Sequence, residues 1–188
     1  LHPMDFITAK DEEYGDLAKS VAKHVGVLDG IIHNAALLGA RTPLEFYPAQ
    51  DWQKVMQVNV NAVFYLTKAL LPVLSKSRDA RIVFISSSVG RVGRAYWGAY
   101  AVSKFAIEGL MQTLAAELEN TSNIRVNSLN PGAVSTKMRQ AAYPAEDPGL
   151  QPCPESLMPI YLYLLSSEAK ILHGQTLNAR ELNLQTQR

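Results

Sequence analysis

ARIVFISSSVGRVGRAYWGAYAVSK, residues 80–104, is the stretch whose reading decides the fold. Its opening, ARIVFIS (80–86), is a continuous apolar run of strand length, the pattern of a strand buried on both faces of a parallel sheet. Ser86, Ser87 and Ser88 end the run, and a glycine-containing turn at Val89–Gly93 follows. Residues 99–119 then read as a long helix. Strand, turn and helix in succession make one unit of an α/β protein.

The same alternation continues in both directions. Upstream, 12–25 reads as a helix, VLDGIIHN (27–34) as another doubly buried strand, and 51–75 as one long helix. Asp51 is placed to cap that helix, Val55, Val58, Ala62, Tyr65, Leu66 and Ala69 form its apolar stripe, and Pro72 falls in its last turns. Downstream, NIRVNSL (123–129) is predicted as a strand, 155–166 as a helix, GQTLNA (174–179) as a last strand, and the polar tail from Glu181 as frayed. Between them, Pro131, Pro144, Pro148, Pro152 and Pro154 break any periodicity, which predicts an irregular segment with one short helix. Long loops inside compact domains commonly serve as lids, so 135–155 is the expected substrate loop. No repeat, low-complexity tract or linker divides the chain, and 1–188 is expected to form a single domain.

Composition narrows the function classes. Eighteen basic residues stand against 17 acidic ones in 188, without a block of like charge, which disfavours nucleic acid and membrane surfaces as partners. No apolar run nears the roughly 20 residues of a bilayer span, and the N-terminal residues do not read as an export signal. Cys153 is the single cysteine, so an internal disulfide and a thiolate zinc cluster are excluded, and a reducing cytoplasmic location is expected. A small-molecule role is what remains. His33 has no second histidine at ligand spacing and reads as a structural residue, with no metal expected.

Tyr100 and Lys104 stand four apart on the 99–119 helix and therefore share a face. A tyrosine has an ordinary pKa near 10, and a neighbouring ammonium favours the phenolate, which suits acid/base chemistry on an alcohol or carbonyl. Taken alone, such a pair most often sits on a solvated helix face. Ser87, thirteen residues before Tyr100, lies where a parallel sheet opens its ligand crevice and could hold a substrate oxygen; alone, it would be a serine ending a strand. Trp97 suits a pocket wall or simple packing.

A strand ending in serines followed by YAVSK (100–104) resembles the short-chain dehydrogenase/reductase family. HNAA (33–36), QVNVNAVF (57–64) and NPGAVSTKM (130–138) resemble further motifs of that family in order. LDGIIHNAALLG, SSSVGR and WGAYAVSKFA are nearer still to its bacterial YciK-type oxidoreductases. The resemblance implies a Rossmann-like, doubly wound parallel sheet and hydride transfer between NADP or NAD, with NADP preferred, and a small-molecule alcohol or carbonyl substrate. It implies Tyr100 as general acid/base, Ser87 orienting the substrate oxygen, Lys104 lowering the tyrosine pKa and binding the nicotinamide ribose, and Asn59 holding a relay water. It further places Asp5 at the adenine, at the end of a third strand, Asn34 and Ala35 at the ribose, and Pro131, Gly132, Val134 and Thr136 beside the nicotinamide. Homodimers or homotetramers formed through the 51–75 and 99–119 helices are expected on the same ground.

Two departures qualify these expectations. His33 and Ala36 replace the first asparagine and the glycine of the family's NNAG, and an alanine is restricted if the position needs positive φ. The N-terminal strands and the glycine-rich turn for the pyrophosphate are absent from the 188 residues, so about 60–70 residues of a whole half-fold are expected to be missing ahead of Leu1, leaving strand 27–34 as a raw edge. A catalytically silent or truncated member of the fold, acting as a binding or assembly module, is the alternative function.

Overall fold

Ala80–Ile85, here β2, is buried at every position, and its side chains alternate between two hydrophobic layers. Ile82 and Phe84 face one layer, while Val83 and Ile85 face the other. That two-sided burial is what a continuous apolar run of β-branched and aromatic residues permits and an alternating strand does not. In this computed structural model, residues 2–182 are described. Their sheet has four parallel strands in the order β1 (Gly30–His33), β2, β3 (Ile124–Asn130), β4 (Thr176–Asn178). β1 is therefore an edge of the described sheet, as expected for 27–34.

Helices α1 (Asp11–His24), α3 (Ala62–Leu74) and α4 (Gly98–Leu118) cover the first face through Ala18, Val63, Leu70, Leu74, Ile107 and Met111. Helix α6 (Met158–Leu165) covers the second through Tyr163 and Leu164. Helices on both faces of a parallel sheet make the fold Rossmann-like and doubly wound.

Three expectations need correction. The helix predicted over 51–75 is two helices, α2 (Ala49–Met56) and α3, joined by a π-helical turn at Gln57–Asn61. The π-turn moves the buried stripe one place along the sequence: Val55, Val58 and Ala62 are buried as expected, but beyond them Val63, Thr67, Leu70 and Leu74 are buried, and the expected Tyr65, Leu66 and Ala69 are only partly so. Asp51 lies inside the first turn of α2, with Pro48 at the N-cap; it serves the positive helix end by charge instead of capping it. Residues 2–5 form no strand, because none of the described strands lies beside them and a strand exists only by pairing.

The segment after β3 is irregular as expected, with one short helix, α5 (Lys137–Ala142), and 3-10 turns at Pro148–Leu150 and Pro154–Leu157. Of the tail from Glu181, residues 183–188 lie outside the described residues; Glu181 N–H closes a turn on the Asn178 carbonyl at 3.0 Å.

Candidate active site

Parallel strands in register deliver their C-terminal ends to one rim: His33 pairs with Phe84, Ile85 with Leu129, and Asn130 with Asn178. The segments that leave this rim therefore meet over the crevice where open α/β sheets place ligands. A cavity of about 1000 Å³ opens there. Its lining joins Asn34 after β1, Ser86 and Ser87 after β2, Pro131, Gly132, Val134 and Thr136 after β3, and Tyr100 and Lys104 from α4.

Tyr100 and Lys104 occupy one buried face of α4, so the solvated-face reading does not apply. Gly90 makes this closeness possible: a Cβ there would stand 2.8 Å from the Lys104 backbone, so only glycine lets the turn after Ser87 lie on the helix. Lys104 is 4% exposed and donates from Nζ to the Ile85 carbonyl at 2.6 Å, with Nζ 5.6 Å from the centre of the Tyr100 ring. Burial pushes the ammonium down to about 8, opposed by the carboxylate of Glu108 one helical turn away. It remains mainly charged at neutral pH.

The Tyr100 phenol is pushed up, not down: desolvation dominates, and the neighbouring Ser87 hydroxyl acts in the opposite direction. The expected lowering by Lys104 is absent from this balance. The physical reason is that burial strips water from the phenol and disfavours its charged form by more than the Ser87 hydroxyl favours it.

Asn59 sits in the π-helical turn, 2% exposed, and does not line the cavity. Its Oδ1 accepts from Leu37 N–H at 2.7 Å, and its Nδ2 donates to the Leu37 carbonyl at 2.9 Å and Ser103 Oγ at 3.0 Å. Ser103 in turn donates to the Tyr100 carbonyl at 2.8 Å. The side chain thus clamps the loop after β1 to the helix that carries Tyr100.

Asp5 and Ala35 also lie outside the cavity lining. The Asp5 carboxylate accepts from Ile7 N–H at 2.9 Å in a local turn, and Ala35 alternates with Asn34 and Ala36, which do face the cavity. Ala36 needs no positive φ; among the described residues Tyr96 is the one non-glycine that has it. His33 is structural as read: its Nε2 lies 2.9 Å from Thr67 Oγ1, whose own proton goes to Val63 O, and its ring stacks on Phe84 at 5.0 Å. Burial lowers its pKa to about 4, which keeps it neutral. No cluster of potential metal ligands occurs among the described residues.

Sequence reasoning passed over Ser86, Leu38, Arg94, Met138 and Tyr143, all in the lining. Only Ser86 carried a signal, as the first serine of the strand end. Its hydroxyl is buried without a hydrogen-bond partner among the described residues. With Lys104 protons to spare and a glycine at φ +78° in Gly132, that orphan hydroxyl fits a polar nucleotide head at this rim.

Comparison with known proteins agrees with this geometry. Residues 2–147 match the family model for short chain dehydrogenases. The chain is 49% identical to the uncharacterized oxidoreductase YciK of Escherichia coli (strain K12), over 94% of this chain and 69% of that protein. A short chain dehydrogenase structure from Pseudomonas syringae superposes with a TM-score of 0.93 at 55% identity, covering 95% of this chain and 72% of that one. Another from Shigella flexneri 2a, solved in complex with NADP, gives 0.91 at 48% identity, covering 94% and 73%. With its parallel sheet, its serine-ended strand and its buried tyrosine and lysine at the same rim, this chain belongs to the short-chain dehydrogenase/reductase family of oxidoreductases.

Proposed function

We propose that the protein transfers hydride between a nicotinamide nucleotide, NADP in preference to NAD, and an alcohol or carbonyl substrate. The observation that carries this reading is the burial of Tyr100 and Lys104 on one face of α4, beside Ser87 and inside the rim cavity. The NADP complex of the Shigella relative supports the cofactor preference.

The bound nicotinamide supplies or accepts the hydride. Ser86, Lys104, Asn34 and the backbone at Pro131–Val134 hold its polar edge, with Thr136 at the head of α5. Ser87 orients the substrate oxygen. Tyr100, kept neutral by burial, gives its proton to that oxygen as charge develops on it, and takes the proton back in the reverse direction. Asn59 acts on Tyr100 through Ser103 and the α4 backbone, as a positioning residue. Asp5 and Ala35 have no role in this reading.

Leu38, Trp97 and Met138 pack against Val89 and Tyr100, so the substrate side is apolar and favours a carbonyl on a hydrocarbon body. Residues 135–155 serve as its loop. Exposed Phe64, Val102 and Phe105 on α3 and α4 are the surface through which copies associate as dimers or tetramers, in a cytoplasmic protein of one domain.

Calorimetric titration of the full-length protein with NADPH and NADH, followed by loss of reduced-nicotinamide absorbance with aliphatic and aromatic ketones, tests the reading. Binding of NADPH in preference to NADH and turnover of at least one ketone are expected. Absence of binding to either nucleotide would replace it with a binding or assembly role.

A further inference from the structure

Arg41 lies in the loop after β1, far in sequence from everything it touches. Its Nε donates to the Tyr96 carbonyl at 3.0 Å and one terminal nitrogen to the Ala142 carbonyl at 3.3 Å. The guanidinium carbon lies 3.9 Å from the centre of the Trp97 ring and 5.5 Å from that of Tyr143. One cation thus holds the turn before α4 and the end of α5 together.

What it holds is strained and adjacent to the reacting group. Tyr96 has φ 69°, a conformation that L side chains rarely adopt, and such a residue persists only where its surroundings fix it. Trp97 follows it, with its ring 5.6 Å from Tyr100 and 6.0 Å from Tyr143. Glycines flank both loops: Gly39 and Gly98 each abut Tyr47, and a Cβ on either would collide with it. The Tyr47 ring can therefore wedge between the loops and bring Arg41 onto Trp97.

We propose that Arg41 is a positioning residue of this site: it fixes the Tyr96–Trp97 turn against Tyr100 and ties α5 to the same wall, setting the substrate-facing side. The inference rests on the reading of Tyr100 as acid/base only for its effect on turnover; the stack itself is independent of it. A lysine cannot substitute, because a planar guanidinium stacks on an aromatic face while donating in its own plane, and an ammonium does not.

The test uses the 188-residue chain with Trp52→Phe, which leaves Trp97 as the single tryptophan of those residues. Arg41→Met is expected to raise acrylamide quenching of Trp97 about twofold and to speed tryptic cleavage at Lys137, with Arg41→Lys restoring less than half of either change. Unchanged quenching or cleavage in Arg41→Met, or full restoration by lysine, would overturn the proposal. If Arg41→Met fails to fold, Arg41→Lys decides alone: raised quenching supports the stack, and a wild-type value overturns it. Neither readout needs cofactor, so loss of the oxidoreductase reading would leave this result standing. Where turnover is measured with NADPH and a ketone, kcat falls about tenfold while the KM for NADPH holds.

Discussion

Tyr100, Lys104 and Asn59 are buried side chains joined to their neighbours by buried or half-buried hydrogen bonds, whereas the 131–157 segment facing them is held by caps, ion pairs and stacking near the surface. On the first side, Asn59, Ser103 and the Tyr100 carbonyl form one chain of hydrogen bonds, and Gly90 lies on Lys104. On the second, Thr136 caps a helix of six residues, and Arg139 pairs with Glu146 through two nitrogens while lying over Tyr143. On the proposed reading the difference teaches a division of labour: chemistry belongs to the side that is packed and bonded most closely, and substrate contact to the side where exchange costs little stability.

The largest separation of these two sides is expected from Lys104→Met. Turnover falls by roughly 100-fold or more, because the charge near the phenol and the cofactor's polar edge is lost. Thermal stability holds or rises, since the substitution removes a buried charge whose lowered pKa reports that burial disfavours it. The pH dependence follows with a defined sign. The folded lysine titrates near 8 against 10.5 in the unfolded chain, so the unfolded state holds more protons between those values and wild-type stability rises with pH through that window. Urea unfolding at several pH values reads this rise, and Lys104→Met abolishes it.

His33 makes the matching prediction at the acid end. Its folded pKa near 4 lies below the ordinary 6.5, so the unfolded chain takes up the proton first and stability is lost as pH falls from 6.5 toward 4. The full effect is on the order of 3 kcal/mol, and His33→Asn is expected to flatten that part of the stability curve. An unchanged curve would show that the imidazole is not buried as described.

Gly90→Ala comes next. Its Cβ meets helix backbone, which cannot rotate away, so a loss of about 1–3 kcal/mol is expected in chemical denaturation, together with weakened turnover. The smallest effect belongs to the opposite side. Thr136→Ala removes the hydroxyl that accepts from Arg139 N–H at 3.1 Å, which frays α5 and speeds tryptic cleavage at Lys137 while global stability changes by about 1 kcal/mol or less. Equal stability losses from Gly90→Ala and Thr136→Ala would break the distinction between the two sides.

The strands after residue 26 and the helices at 11–24 and 98–118 were legible because burial on two faces, or on one helical stripe, leaves a periodic record. The rim grouping of Ser87, Tyr100, Lys104, Gly132 and Thr136 was legible through spacing and family resemblance. The π-helical turn was not, because α3 carries apolar residues on neighbouring faces, Leu66 and Ala69 beside Val63 and Leu70, so a one-residue shift of the buried stripe shows no break in the apolar pattern. Nor was the direction of the Tyr100 shift, which depends on how much water the fold removes from the phenol. Arg41 was silent for a simpler reason: its partners lie 55 and 101 residues away, beyond any local pattern.

The central claim, that Tyr100 moves the proton in a nicotinamide-dependent reaction, is met most directly by Tyr100→Phe. The ring and its packing on Trp97 are kept and only the hydroxyl is lost. NADPH affinity by calorimetry is expected to stay within about twofold while turnover falls roughly 100- to 10,000-fold. Turnover equal to wild type with NADPH still bound would contradict the account.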